Sequence, residues 1–162
     1  MTDKAIFRAA MAQLGSAVCV IATDGPAGRY GITVSAVTSV SDDPPSLIVC
    51  VNRASGANAI IKQNQTLCVN VLSSEQQDIS HTFASGQVPA DQRFGAGAWT
   101  VSALGNPVLK DVAAWFDCRV DRAIEYGTHT VLFCKPAHIA VSETANCLIY
   151  HGRAYHRIQS YE

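Results

Sequence analysis

The sequence has no run of like charge. Its 12 Lys and Arg residues are balanced by 13 Asp and Glu, for a formal net charge of −1, and no basic cluster exceeds the separated Arg119 and Arg122. Nucleic acid and anionic membrane surfaces require an electrostatic footprint that this chain lacks, so both are excluded as partners. Long apolar runs are also missing. Leu47 to Val51 and Val131 to Cys134 are strand-sized, far short of the roughly 20 residues a membrane helix needs. Asp3 and Arg8 interrupt the apolar stretch a signal peptide would require, which leads to the expectation of a cytoplasmic protein. No CxxC pair occurs among Cys19, Cys50, Cys68, Cys118, Cys134 and Cys147. Reduced, buried thiols are therefore expected, with neither a disulfide frame nor a metal site.

Several catalytic signatures are absent too. Gly25, Gly28 and Gly31 are spaced GxxGxxG with no helix after them, which argues against a dinucleotide-binding Rossmann turn. There is no P-loop, no GxSxG elbow and no HExxH, and His151 and His156 share neither a helix face nor a strand face. No repeat, linker or low-complexity segment divides the chain, so residues 1–162 are expected to form one domain.

What is present is mostly β pattern. After a short amphipathic helix marked by Ile6, Phe7, Ala10, Met11 and Leu14 and stopped by Gly15, four β-branched runs follow, at Ala17 to Thr23, Tyr30 to Ser41, Ser46 to Asn52 and Thr66 to Leu72. Asp43-Pro44-Pro45 predicts an extended turn between the second and third. GANAIIKQN after Ser55 allows about two turns of helix. SSEQQDISHTFAS carries a capping-box pattern with Ile79 and Phe83 on one face. Ser85 to Gly105 reads as a long, partly ordered loop. The runs AAWFDCRVDRAIEY, THTVLFCKPAHIAV and CLIYHGRAYHRI then return to strand character, the last turning at His151-Gly152. Many short strands in one domain predict a closed or nearly closed antiparallel barrel.

Two places suggest a ligand. Gly31 to Ala36 mixes small and hydroxyl side chains into an apolar strand. A flat ring could lie on that surface, or Thr33 and Ser35 could simply face solvent. Asn52-Arg53-Ala54-Ser55-Gly56 closes a strand and opens a helix with a guanidinium, a capping hydroxyl and helix-start amides, a set that suits a phosphate. Equally, Ser55 could do no more than cap its own helix.

Together with LCVNVLSSEQ, TFASG, QRFGAGAW, NPVLKD, GTHTV and LIYHGRAYH, the segment from Phe7 to Gly56 resembles the flavin reductase family over nearly the whole chain. Within it the sequence is most similar to the reductase components of two-component 4-hydroxyphenylacetate 3-monooxygenases. The resemblance implies a mainly β fold, a Greek-key split barrel that binds flavin, and a homodimer. It also implies hydride transfer from NADH to FMN or FAD and release of reduced flavin to a separate oxygenase. Residue by residue, it implies that Thr33, Val34, Ser35 and Ala36 line the ring system and that Asn52, Arg53 and Ser55 hold the phosphate. Phe83, Ala84 and Arg93 would complete the pocket. His129, in GTHTV, would lie near the nicotinamide, with Tyr155 and His151 approaching NADH. Thr128 stands where the family typically has Asp; without the resemblance His129 is simply a polar residue at a strand start. No Arg pair is placed for a 2′-phosphate, which favours NADH over NADPH. Two other readings share the barrel: a non-catalytic flavin carrier, and a pyridoxamine-phosphate-oxidase-like enzyme, which would need a more basic phosphate site.

Overall fold

The computed structural model describes residues 3–158 of the 162. In chain order the elements are α1 (Lys4–Met11), β1 (Ser16–Ala17), β2 (Cys19–Thr23), β3 (Tyr30–Val34), β4 (Val37–Asp42), β5 (Pro45–Asn52), α2 (Gly56–Asn64), β6 (Thr66–Val71) and α3 (Gln77–Ala84). A 3-10 turn (Arg93–Gly95) follows, then β7 (Trp99–Val101), β8 (Pro107–Leu109), β9 (Ala114–Tyr126), β10 (His129–Val141), β11 (Leu148–His151) and β12 (Ala154–Arg157).

Seven strands form the main sheet in the order β3-β2-β6-β9-β10-β5-β4. Its edge strands, β3 and β4, are separated in the chain only by Ser35 and Ala36. Two linking residues span about 10 Å at most, so the sheet must roll until its edges nearly meet. The result is a barrel with a seam. On one side of the seam the Cys50 N–H donates to the Ala36 carbonyl at 3.0 Å; beyond it β3 pairs only with β2. This is the mainly β split barrel that the family resemblance implied.

β2 is buried along its full length. Cys19 and Ile21 point into the barrel core with Val49, Val51, Leu67, Val69 and Leu132. Val18 and Val20 point the other way, into a second core with Leu72, Phe83, Leu109, Val112 and Leu148. A strand with apolar neighbours on both faces has no reason to alternate, which explains the unbroken AVCVIA run. Among the described residues, no helix is long and apolar enough to cross a membrane.

Several expectations need correction. The run Tyr30 to Ser41 is two strands, because the chain must cross from one sheet edge to the other at Ser35–Ala36. Asp43-Pro44, a cis peptide bond, forms a tight hairpin turn with Asp42 opposite Pro45, where an extended turn was expected. Ser85 to Gly105 contains the 3-10 turn and β7, which pairs with β8. The expected capping box is half made: Gln76 Oε1 accepts the Ser73 N–H at 2.9 Å, but α3 starts later, at Gln77. The last hairpin turns at Gly152-Arg153, both at positive φ (58° and 66°), as a two-residue loop matched to strand twist requires.

All six cysteines are free; Cys19, Cys68, Cys118 and Cys134 are buried. Burial pushes the Cys19 and Cys134 thiols up to about 12 and raises those of Cys68 and Cys118 in the same direction. In the native protein a thiol-reactive disulfide reagent is expected to label only Cys50 and Cys147 quickly; rapid labelling of a third would contradict this burial. Unfolded thiols lose their protons near pH 8.5 while the buried ones keep theirs. The unfolded state thus binds fewer protons above that pH, and stability is expected to fall as pH rises from about 9 towards 12. Urea melts across that range would show it.

Candidate functional site

β3, α3 and the β11–β12 hairpin converge on a cavity of about 220 Å³ lined by Val18, Thr33, Val34, Ser35, Ser80, Ala84, Tyr150 and Tyr155. Five residues chosen from sequence, Thr33, Val34, Ser35, Ala84 and Tyr155, therefore meet on one surface. Its polar groups are fixed in place. Thr33 Oγ1 donates to the Ser80 carbonyl at 2.8 Å, and Ser80 Oγ and the Tyr155 hydroxyl are 2.8 Å apart. Tyr155 packs edge-on against both Tyr150 and His81, with ring centroids 5.2 and 5.1 Å apart. A second cavity of about 540 Å³ shares Ser35 and Tyr150 with the first and adds Ala36, Arg8, Met11, Leu14 and Arg153. Together they fall within the roughly 300–1,000 Å³ usual for cofactor sites. An apolar, aromatic wall with a few hydroxyls suits a planar, polar-edged ring.

The phosphate candidates lie where β5 runs into α2. Asn52 Oδ1 accepts the Ala54 N–H at 2.9 Å, and Ser55 Oγ accepts the Ala57 N–H at 3.2 Å as the α2 cap. Buried Asn58 donates to the Val51 carbonyl at 3.2 Å and to Thr130 Oγ1 at 2.9 Å, which pins α2 to β5 and β10. The Arg53 N–H donates to the Thr128 carbonyl at 2.9 Å and its guanidinium to the Gly127 carbonyl at 3.2 Å. The GTH segment is thereby held against the NRAS turn, although the two lie far apart in sequence. His129 is exposed at the start of β10, opposite Asn52, with its Nδ1 2.9 Å from Thr128 Oγ1. Here a threonine meets the ring where the family pattern would have put a carboxylate.

Asn52, Arg53 and Thr128 line a cavity of about 480 Å³ with Ala54, Lys62 and Glu125. Glu125 bridges two cations, with Oε1 2.9 Å from Lys62 Nζ and Oε2 3.0 Å from Arg53 Nη2. The Lys62 hydrogen bond, with help from the Arg53 charge, holds its carboxyl below the usual carboxylate range. The donors suit a phosphate: a guanidinium and an ammonium line one open space, while Ser55, the cap of α2, lies outside that lining.

Two other sequence candidates sit in the core. Phe83 is fully buried, edge-on to Phe94 at 5.1 Å and tilted against Trp99 at 5.4 Å, so its ring supports the wall from behind. Arg93 is 8 % exposed and donates to three carbonyls: Gly31 at 2.9 Å, Ser85 at 2.9 Å and Val88 at 3.1 Å. It staples the loop after α3 to β3, beside the ring of Tyr30. Ser80, Tyr150, Lys62 and Glu125 were not singled out from sequence. Ser80 lies one helical turn before Ala84 on the same face of α3, a spacing that could have flagged it.

The family profile described as the flavin reductase like domain matches residues 11–159. The chain is 53 % identical over 96 % of its length to the FMN reductase (NADH) RutF of Variovorax paradoxus strain S110, covering 86 % of that protein. To the FMN reductase (NADH) RutF of Bradyrhizobium diazoefficiens it is 50 % identical over 94 % of its length, covering 84 % of that protein. Among solved structures it is similar to BorF, the flavin reductase component of a bacterial two-component tryptophan halogenase. The identity there is 25 % and the TM-score 0.91, over 98 % of this chain and all of that one. A profile match across almost the whole sequence, on a split barrel, shows that this chain belongs to the flavin reductase family.

Proposed function

We propose that this protein is an NADH-dependent flavin reductase acting on FMN, with FAD as the second candidate flavin. Its reduced flavin passes to a separate monooxygenase, of the aromatic-hydroxylating kind implied by the sequence resemblance. The observation that carries the reading is the meeting of Thr33, Val34, Ser35, Ala84 and Tyr155 on one cavity beside the barrel seam. Relatives bearing the name FMN reductase (NADH) and a reductase component of a two-component system support it.

Bound flavin supplies the hydride acceptor and NADH the donor, so the protein's work is to bind and orient. In this reading Thr33, Val34, Ser35 and Ala36 hold the ring system, and Tyr155 and Ser80 present hydroxyls to its edge. Asn52, Arg53 and Ser55 take the phosphate. Phe83 and Arg93 keep β3 and α3 in register. His129 orients the nicotinamide and transfers no proton. Its replacement by alanine is expected to raise the KM for NADH about fivefold, the loss of one hydrogen bond, with the KM for FMN within about twofold. Equal shifts in both constants would remove His129 from the nicotinamide side.

The protein works as a homodimer in this reading. α1 has no buried residue, and Ile6, Phe7 and Leu14 at 66, 57 and 60 % exposed leave an apolar surface that a second copy would cover. We place the dimer in the cytoplasm, where six free thiols stay reduced.

The test is anaerobic NADH oxidation with FMN, FAD and riboflavin added separately. Turnover that depends on added FMN, with reduced flavin accumulating, is the expected result. Flavin binding with no turnover on either nicotinamide would make the protein a flavin carrier.

A further inference from the structure

Arg53 and Lys62 are the two cations at the phosphate candidate, and the same carboxylate occupies both. Glu125 sits near the end of β9, Lys62 is in the last turn of α2, and Arg53 follows β5. The β5–α2 segment and the distant end of β9 thus meet in one ion triad that lines the cavity with Asn52, Ala54 and Thr128. Each member is partly open to water, at 49 % for Arg53, 35 % for Lys62 and 45 % for Glu125. A structural salt bridge so exposed adds little to stability. Its effect on an incoming anion is larger, because the carboxylate cancels one of the two positive charges and takes up their N–H donors.

We infer that Glu125 is the specificity-tuning residue of the flavin phosphate site, an internal anion that a phosphate must displace from Arg53 and Lys62. This inference rests on the placing of the phosphate at Arg53 proposed above. A phosphate monoester carries about −1.5 to −2 charges at neutral pH and three acceptor oxygens. It therefore outcompetes a single carboxylate for a guanidinium and an ammonium, but by less than if the carboxylate were absent. The flavin is then held firmly enough to be reduced and loosely enough to leave, as suits a reductase whose product is used elsewhere. A flavin without phosphate has nothing to displace and does not sense Glu125.

The experiment is an equilibrium fluorescence titration of the full chain with FMN and, separately, with riboflavin, for the parent, Glu125→Gln, Glu125→Asp and Arg53→Ala. Glu125→Gln is expected to bind FMN roughly three- to tenfold more tightly, from release of two exposed ion pairs. Its riboflavin affinity should stay within about twofold, and its FMN affinity should fall more steeply with added salt than the parent's. Glu125→Asp keeps the charge and should bind FMN as the parent does. Unchanged or weaker FMN binding by Glu125→Gln, with Arg53→Ala still impaired, overturns the role of Glu125 and leaves the phosphate site standing. Equal tightening for riboflavin overturns it too, since the change would then act on the ring pocket. If Arg53→Ala binds FMN like the parent, the phosphate site itself is wrong and the inference falls with it.

Discussion

Phe83→Ala is expected to lower stability by about 3–5 kcal/mol, the usual cost of emptying a buried aromatic site. Phe83 is completely buried between Phe94 and Trp99, and on its remaining side it meets the backbone of Gly31. For a chain of 162 residues each kcal/mol shifts the melting temperature by roughly 2–4 °C, so calorimetry should record a fall of about 6–20 °C. The same space can be tested from the other side. A Cβ on Gly31 would lie 2.7 Å from Phe83 Cδ1, closer still to Cε1, and 3.0 Å from Phe94 Cζ. Gly31→Ala alone should therefore cost about 1–3 kcal/mol through overpacking. Combined with Phe83→Ala, the new methyl enters vacated space and the double variant should be more stable than the sum of the single losses predicts. Strict additivity would show that the two positions do not share that contact.

Arg53→Ala is expected to raise the KM for FMN about tenfold, as loss of a charge-assisted contact to phosphate would, while the KM values for NADH and riboflavin stay within about twofold. Arg53→Lys should fall between, because an ammonium keeps the charge and loses the guanidinium fork. The riboflavin comparison separates this from a structural effect. Arg53 also holds the Gly127 carbonyl, and a collapse of that turn would harm every flavin alike. Steady-state kinetics indistinguishable from the parent's would remove Arg53 from the phosphate site.

Elements set by local signals were legible in the sequence. GANAIIKQN, with Ser55 as its cap, is the helix Gly56–Asn64, and Ser46 to Asn52 is a strand with only Pro45 added. What escaped depends on the assembled sheet. Nothing between Tyr30 and Ser41 breaks a β pattern locally. The division at Ser35–Ala36 exists because the two edges of a rolled sheet must be bridged there. Trp99–Val101 reads as loop because three residues carry too little periodicity; β8 makes it a strand. The site divides the same way. Thr33 and Ser35 stood out as hydroxyls in an apolar run. Ser80 gains its place only when α3 docks on β3, and Glu125 only when β9 comes beside α2. The carbonyl acceptors that make burial of Arg93 tolerable belong to the folded backbone and have no sequence signature.

The strand order also constrains the chain while it is being made. β2 with β6 and β4 with β5 can pair early, but the two halves join only through β9 and β10, whose last residue is Val141. β6 exposes an edge ready to pair with another chain until Arg119 has left the ribosome, and β5 does so until Cys134 has. At about 5–20 residues per second, synthesis from Asn52 to Cys134 takes several seconds. During that interval the two half-sheets are not yet joined, and a chain arrested before His129 would meet the cell's chaperones in that state.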